Sequence, residues 1–243
     1  MRLDKLLSEN GMTRSEAKKA IAQGRVTVNG QMARDAGKNV NDTDAVVFAG
    51  RGITRRGEFT LMMHKPQGVI TATEDPRQET VLSLVPPKFR RKDLAPVGRL
   101  DKDTTGLLLL TTEGQMGHFL ISPKRNVEKV YRATVEGRLD EDDVRRMAEG
   151  IPLKDFTAKG AKMTILSARD DSSVALLTVT EGKYHQVKRM FGAIGHTVTA
   201  LHRQQVGPLT LDDDLKEGEV RLLTDAEVHA LKVCCGMEEE TDG

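Results

Sequence analysis

Along residues 1–48 the apolar positions change period twice. Leu3, Leu6 and Leu7 recur at helical spacing, and Thr13 followed by Glu16 predicts a capping box. That box opens a helix running to Gln23 and stopping at Gly24. Its core-facing stripe is Ala17, Ala20 and Ile21; Arg14 and Lys18, four apart, share the opposite face with Lys19 beside them. Val26 and Val28 then alternate as a strand, Asn29-Gly30 is a strong hairpin-turn signal, and Val46 to Phe48 supplies another strand. Residues 49–58 (AGRGITRRGE) are rich in Gly and Arg, poor in apolar positions, and read as a linker.

Residues 59–235 form the expected main domain. Strand-like runs fall at Thr60 to His64, Leu107 to Thr111, Lys129 to Val135, Ala161 to Leu166, Val174 to Thr180 and Thr197 to Leu201. Helical patterns fall at Gln115 to Ile121, Asp140 to Ala148, His185 to Ile194 and Asp225 to Lys232. Helices placed irregularly among strands predict an α+β fold with a mixed, mainly antiparallel central sheet and flanking helices. The longest apolar run, Leu107 to Leu110, has the length of a buried strand and not of a membrane span. Residues 236–243 read as an acidic, disordered tail.

Composition changes this picture in two ways. The formal net charge is only +1, but residues 1–59 hold 11 Lys or Arg against 7 acids, while the tail holds Glu238, Glu239, Glu240 and Asp242. RNA contact needs a local basic face and not a basic protein, so a nucleic-acid partner stays open. The cysteines, Cys234 and Cys235, are adjacent, which excludes a disulfide framework and a metal-ligand spacing. The N-terminal stretch carries Asp4 and Glu9 and lacks the apolar core of a secretion signal, so a cytoplasmic protein is expected.

The string RLDKLLSENGMTRSEAKKAIAQGRVTVNGQMA resembles the S4 RNA-binding domain over nearly all of residues 1–48. The resemblance implies that Arg2, Lys5, Arg14, Lys18 and Arg25 face structured RNA, with contacts mostly to phosphates.

The main chemical signal is a polar loop entering an apolar strand, from Gly98-Arg99-Leu100-Asp101 through Gly106 to Thr111. A lone loop aspartate most often caps a turn. Here it accompanies Lys65-Pro66-Gln67-Gly68, Glu128-Lys129-Val130-Tyr131, and the run from Glu181 through Tyr184-His185-Gln186-Val187-Lys188 to Phe191. In this order and spacing these motifs resemble the pseudouridine synthases of the RsuA family from about Leu61 to Leu223. The resemblance implies the pseudouridine-synthase fold and a cofactor-free, metal-free isomerisation: the uracil leaves C1′ of its ribose, turns, and rejoins through C5. It implies Asp101 as the catalytic carboxylate, Lys188 as its basic partner, Tyr131 as a residue stacking on uracil, and Arg99 as the side chain that helps displace the nucleotide. The residues leave open whether Asp101 attacks C1′, attacks C6 or removes the C2′ proton.

On a helical wheel Val187, Met190, Phe191 and Ile194 form the buried stripe, with Lys188 at its shoulder and Arg189 on the far side, facing phosphate or solvent. His202 and Arg203 are the further expected RNA contacts. The partner implied is 16S (small-subunit) ribosomal RNA or its assembly intermediate, with no membrane, no obligate protein partner, and a monomeric state. The alternatives are a synthase for large-subunit RNA, whose relatives tend to carry Asn-Arg-Gln where this chain has Tyr184-His185-Gln186, and a non-catalytic S4-type ribosome-assembly protein.

Overall fold

A computed structural model describes residues 1–41, 43–53 and 57–237. The chain divides into two compact units, residues 1–59 with 86–94, and residues 60–85 with 95–243.

In the first unit two helices, α1 (Leu3–Glu9) and α2 (Arg14–Ala22), accompany four short strands, β1 (Val26–Val28), β2 (Gln31–Met32), β3 (Val46–Phe48) and β4 (Arg51–Ile53). The Thr13 hydroxyl accepts from Glu16 N–H and the Glu16 carboxylate accepts from Thr13 N–H, so the expected capping box opens α2. Ala17, Ala20 and Ile21 are buried with Leu3, Leu7, Val26, Val28 and Val46 in one small core. The strands are ordered β2-β1-β3-β4. The stretch read as a linker therefore begins with a strand: Ala49 and Gly50 take positive φ, and Arg51–Ile53 folds back along β3. Its short length and single apolar residue, Ile53, hid it from a period-based reading. The remaining linker residues 54–56 and tail residues 238–243 lie outside the described residues.

The second unit is built on a nine-stranded sheet. In chain order its elements are β5 (Thr60–Lys65), β6 (Ala95–Pro96), β7 (Thr105–Thr111), α3 (Gly114–Ile121), β8 (Lys129–Glu136), α4 (Glu141–Glu149) and the small pair β9 (Ile151–Pro152) and β10 (Thr157–Ala158). These are followed by β11 (Lys162–Ala168), β12 (Ser172–Val179), α5 (Gln186–Ala193), β13 (Val198–Val206), β14 (Leu209–Thr210), β15 (Val220–Leu222) and α6 (Asp225–Cys234). The main path runs β11-β12-β8-β13-β7-β5-β15, with β14 on β13 and β6 on β7. All named pairs in this sheet are antiparallel except β13 with β7, so the sheet is mixed and mainly antiparallel.

Burial follows position in the sheet. Strand β8 alternates buried and open residues, whereas the run Leu107 to Thr111 in β7 is buried throughout, as its uninterrupted leucines require. Leu107 and Leu109 pack with Met62, Met116, Leu120 and Leu231 in a core that joins β7 to α3 and α6.

The parallel register sets Arg203 of β13 beside Gly106 of β7. Gly106 has φ +108°, and a Cβ there would stand 2.2 Å from the Arg203 carbonyl oxygen. A backbone atom cannot swing aside, so only glycine fits. Gly106→Ala is expected to destabilise the fold by about 2 kcal/mol or more, whereas Gly114→Ala, in open space at the start of α3, is expected to be neutral or slightly stabilising. Urea unfolding of both variants checks this; equal midpoints would refute the packing argument.

Candidate active site

The loop before β7 is held from beneath by the Lys65-Pro66-Gln67-Gly68 segment. Lys65 is fully buried, and its ammonium donates to the carbonyls of Pro66 (2.9 Å), Thr104 (2.9 Å) and Lys102 (3.5 Å). Gly68 N–H donates to the Lys102 carbonyl at 2.8 Å. The Thr71 hydroxyl accepts from Leu100 N–H (3.1 Å) and donates to its carbonyl (2.7 Å). Burial lowers the Lys65 ammonium to about 8, against the opposing pull of Asp103 and Asp101. The loop carrying Asp101 is thus tied at three of its residues.

Asp101 presents its carboxylate to two groups from the start of α5. Lys188 Nζ lies 3.2 Å from one oxygen and His185 Nε2 lies 3.3 Å from the other. The same ammonium donates to Asp103 at 2.5 Å. Burial alone would lower Lys188, but its bonds to Asp103 and Asp101 outweigh that and leave it above its usual value. Hydrogen bonding from Lys188 holds Asp103 below the ordinary carboxylate range. Lys188 is about one-fifth exposed, as expected for a stem on the shoulder of the buried Val187, Met190 and Phe191 stripe.

The helix begins one residue later than its periodicity predicts. His185 sits outside α5 in a left-handed conformation (φ 50°, ψ 29°), and this turn aims its imidazole at Asp101. The exposed Tyr184 ring stacks on it at 3.8 Å. The turn is held by the Gln186 side chain, which accepts from Lys183 N–H and donates to the buried Glu181 carboxylate.

Asp101, Lys188 and His185 stand on one cleft of about 840 Å³, mouth included, that also takes in Arg99, Tyr131, Lys129 and Arg203. Apolar walls come from Leu109, Val179, Leu201 and Val206. Apolar walls with a few convergent polar groups are the lining of a small-molecule or nucleobase site. Tyr131 and Arg203 are direct cross-strand partners on β8 and β13, and both are buried. Arg203 donates to the Leu107 carbonyl (2.8 Å) and to the Tyr131 hydroxyl (3.4 Å).

Of the residues singled out from the sequence, Asp101, Tyr131, Lys188, Arg99 and Arg203 meet at this cleft, with Arg99 exposed at its edge. Arg203 is 5% exposed, so it faces the cleft and not the outer surface. His202 and Arg189 do not line the cleft. His202 is half-buried, bonded to the Thr105 hydroxyl and edge-on to His64, and burial lowers its pKa. Arg189 pairs with Asp155 and lies over the Phe156 ring. Lys65, Lys129 and His185 stood in the quoted motifs and Asp103 in the Asp101 loop, but none of the four was given a role in the site. Helical spacing could not place His185, which sits outside α5 in the left-handed conformation.

In the first unit Arg14, Lys18 and Lys19 are exposed on α2, and the exposed Arg25 lies over the Phe48 ring at 4.9 Å. Arg2 is exposed and paired with Asp4, and Lys5 is paired with Glu58.

With this geometry in hand, comparison with known proteins is specific. Residues 60–193 match the RNA pseudouridylate synthase family and residues 1–46 match the S4 domain. The chain is 43% identical to the uncharacterized RNA pseudouridine synthase YtzG of Bacillus subtilis, over 95% of this chain and 98% of that one. It is 41% identical to the ribosomal small subunit pseudouridine synthase A of Vibrio cholerae (95% and 99% covered) and 40% identical to that of Escherichia coli (94% and 98%). A crystal structure of a pseudouridylate synthase superposes with a TM-score of 0.68 at 39% identity, covering 95% of this chain and 99% of that one. The chain belongs to the RNA pseudouridylate synthase family and carries an S4 domain at its N-terminal end.

Proposed function

We propose that the chain isomerises one uridine of small-subunit (16S) ribosomal RNA in the cytoplasm, with Asp101 as the reacting carboxylate. The observation that carries this reading is the placement of Asp101 between Lys188 and His185 on an apolar-walled cleft with Tyr131. A carboxylate can stay charged in a cleft closed by a flipped base only if a cation offsets the lost water, and Lys188 is within 3.2 Å. The small-subunit target is supported by the relatives in Vibrio cholerae and Escherichia coli that carry that name.

Each group has a task. Asp101 acts on the nucleoside as nucleophile or base. Lys188 supplies the counter-charge beside Asp101, and Asp103 on the same ammonium fixes where that ammonium points. Tyr131 stacks against the extruded uracil, and Arg99 at the cleft edge supports displacement of the nucleotide, offsetting part of the few kcal/mol that unstacking costs. No atom is gained or lost overall, so no cofactor is required. Arg14, Lys18 and Arg25 bind phosphates of folded RNA, with Arg2 and Lys5 beside them; Arg189 and His202 are secondary contacts. The protein acts as a monomer.

Asp101→Asn keeps the shape and removes the charge, so it should reduce isomerisation by roughly 10⁴-fold or more. The assay maps pseudouridine by carbodiimide primer extension on small-subunit particles and naked transcript; equal signal from wild type and variant would defeat the assignment. The double variant Arg14→Glu, Lys18→Glu should weaken RNA binding about tenfold or more and flatten its salt dependence by about two phosphate contacts. Unchanged affinity in a salt titration would remove this face from the RNA interface.

A further inference from the structure

We propose that Arg203 and Lys129 form a cationic floor that takes the carbonyl oxygens of the target uracil and stabilises the negative charge they acquire during the reaction. This rests on Asp101 being the reacting carboxylate.

Arg203 and Lys129 are 5% and 6% exposed, stand on neighbouring strands, and line the cleft that holds Asp101. Among the described residues neither has a carboxylate at ion-pairing distance. Lys129 donates to the Val127 carbonyl at 2.7 Å, and Arg203 to the Leu107 carbonyl and the Tyr131 hydroxyl. Burial, and secondly the charge on Arg203, lower the Lys129 ammonium to about 8. Several other cations of this domain have carboxylate partners, Lys188 in Asp101 and Asp103, Arg189 in Asp155, Arg221 in Asp212 and Glu227, whereas the buried Lys65, away from the cleft lining, is held by the carbonyls of Pro66, Lys102 and Thr104. Two adjacent buried charges without counter-charge are costly, several kcal/mol per ion before compensation. Standing on the cleft, these two donors are placed to meet an incoming acceptor.

Both side chains are donors only. Uracil offers acceptors at O2 and O4, whereas cytosine would point an amino group at one of the donors. The Tyr131 ring and the apolar walls fit a planar base and not a phosphate.

The chemistry demands such a floor whichever way Asp101 acts. If its oxygen bonds to C1′, the C1′–N1 bond breaks and its electron pair leaves with the base. If it takes the C2′ proton, a C1′=C2′ bond forms and N1 again leaves with the pair. If it bonds to C6, the C5=C6 pair moves through C4 onto O4. In the first two cases the charge spreads over N1, O2 and O4; in the third it sits on O4. Rejoining forms C5–C1′ and frees Asp101: its bond to C1′ breaks in the first case, C2′ takes its proton back in the second, and in the third C1′–N1 breaks and the bond to C6 is lost. The C5 proton leaves and N1 takes one up, so the sum is an isomerisation.

The test measures single-turnover isomerisation, RNA affinity and thermal unfolding on a small-subunit RNA transcript that the wild type modifies. The proteins are wild type, Asp101→Asn, Arg203→Gln, Arg203→Lys and Lys129→Met. Arg203→Gln should slow turnover about 100-fold and Lys129→Met about tenfold, with RNA affinity unchanged within about threefold. Arg203→Lys should recover part of the rate, and Lys129→Met, which removes a buried charge, should not lower the unfolding temperature. With 5-fluorouridine at the target, consumption of the nucleoside should be less impaired by both charge-removing variants, because fluorine already withdraws the developing charge. A folded Lys129→Met with wild-type rate overturns the proposal. So does a loss lying wholly in RNA affinity, or one equally large on the fluorinated RNA. An active Asp101→Asn overturns the reading of Asp101 itself, whereas an inactive Asp101→Asn beside a fully active Lys129→Met discards the floor alone.

Discussion

The Lys65 ammonium, withdrawn from water and given to the carbonyls of Pro66, Lys102 and Thr104, is the constraint from which the site follows. Without those carbonyl dipoles a buried lysine would shed its proton or drag water inward. With them, the end of β5 and the loop before β7 become one rigid piece. Asp101 rides on that piece. Its partners ride on another, the start of α5, where the left-handed His185 and the first helical turn present an imidazole and an ammonium together. The carboxylate is positioned by backbone tethers on one side and held by charge on the other.

The sheet sets the distance between these pieces. Its single parallel junction, β13 with β7, brings Arg203 beside Gly106, and close approach is possible only because residue 106 has no side chain. Arg203 then meets Tyr131 across β13 and β8. One junction therefore fixes how the Asp101 loop faces the buried aromatic and cationic side of the cleft. Charge is distributed unevenly there: Asp101 and Asp103 stand on the loop, whereas among the described residues Arg203 and Lys129 have no carboxylate at ion-pairing distance.

Much of this was legible in the residues. The Thr13–Glu16 capping box, the Asn29-Gly30 turn, the leucine run of β7 and the buried stripe of α5 are local patterns whose physics does not depend on distant partners. The motif set likewise pointed to Asp101, Tyr131 and Lys188, which line one cleft, whereas Arg189, set apart from Lys188 by the wheel, pairs with Asp155. Strand β4 escaped because three residues with one apolar side chain carry no period.

The sequence by itself determined the longer helices and strands and their order, since helix caps, turn residues and apolar periodicity act over a few residues. Tertiary structure alone decided which cations were matched. His185 faces Asp101 through one left-handed residue, Lys65 is hidden under the loop it ties, and Arg203 faces a cleft and not the outer surface. Each depends on what another strand or helix puts within about 3–4 Å, the range where a hydrogen bond or ion pair forms, and that distance is set by sheet register and crossing connections between residues far apart in the chain.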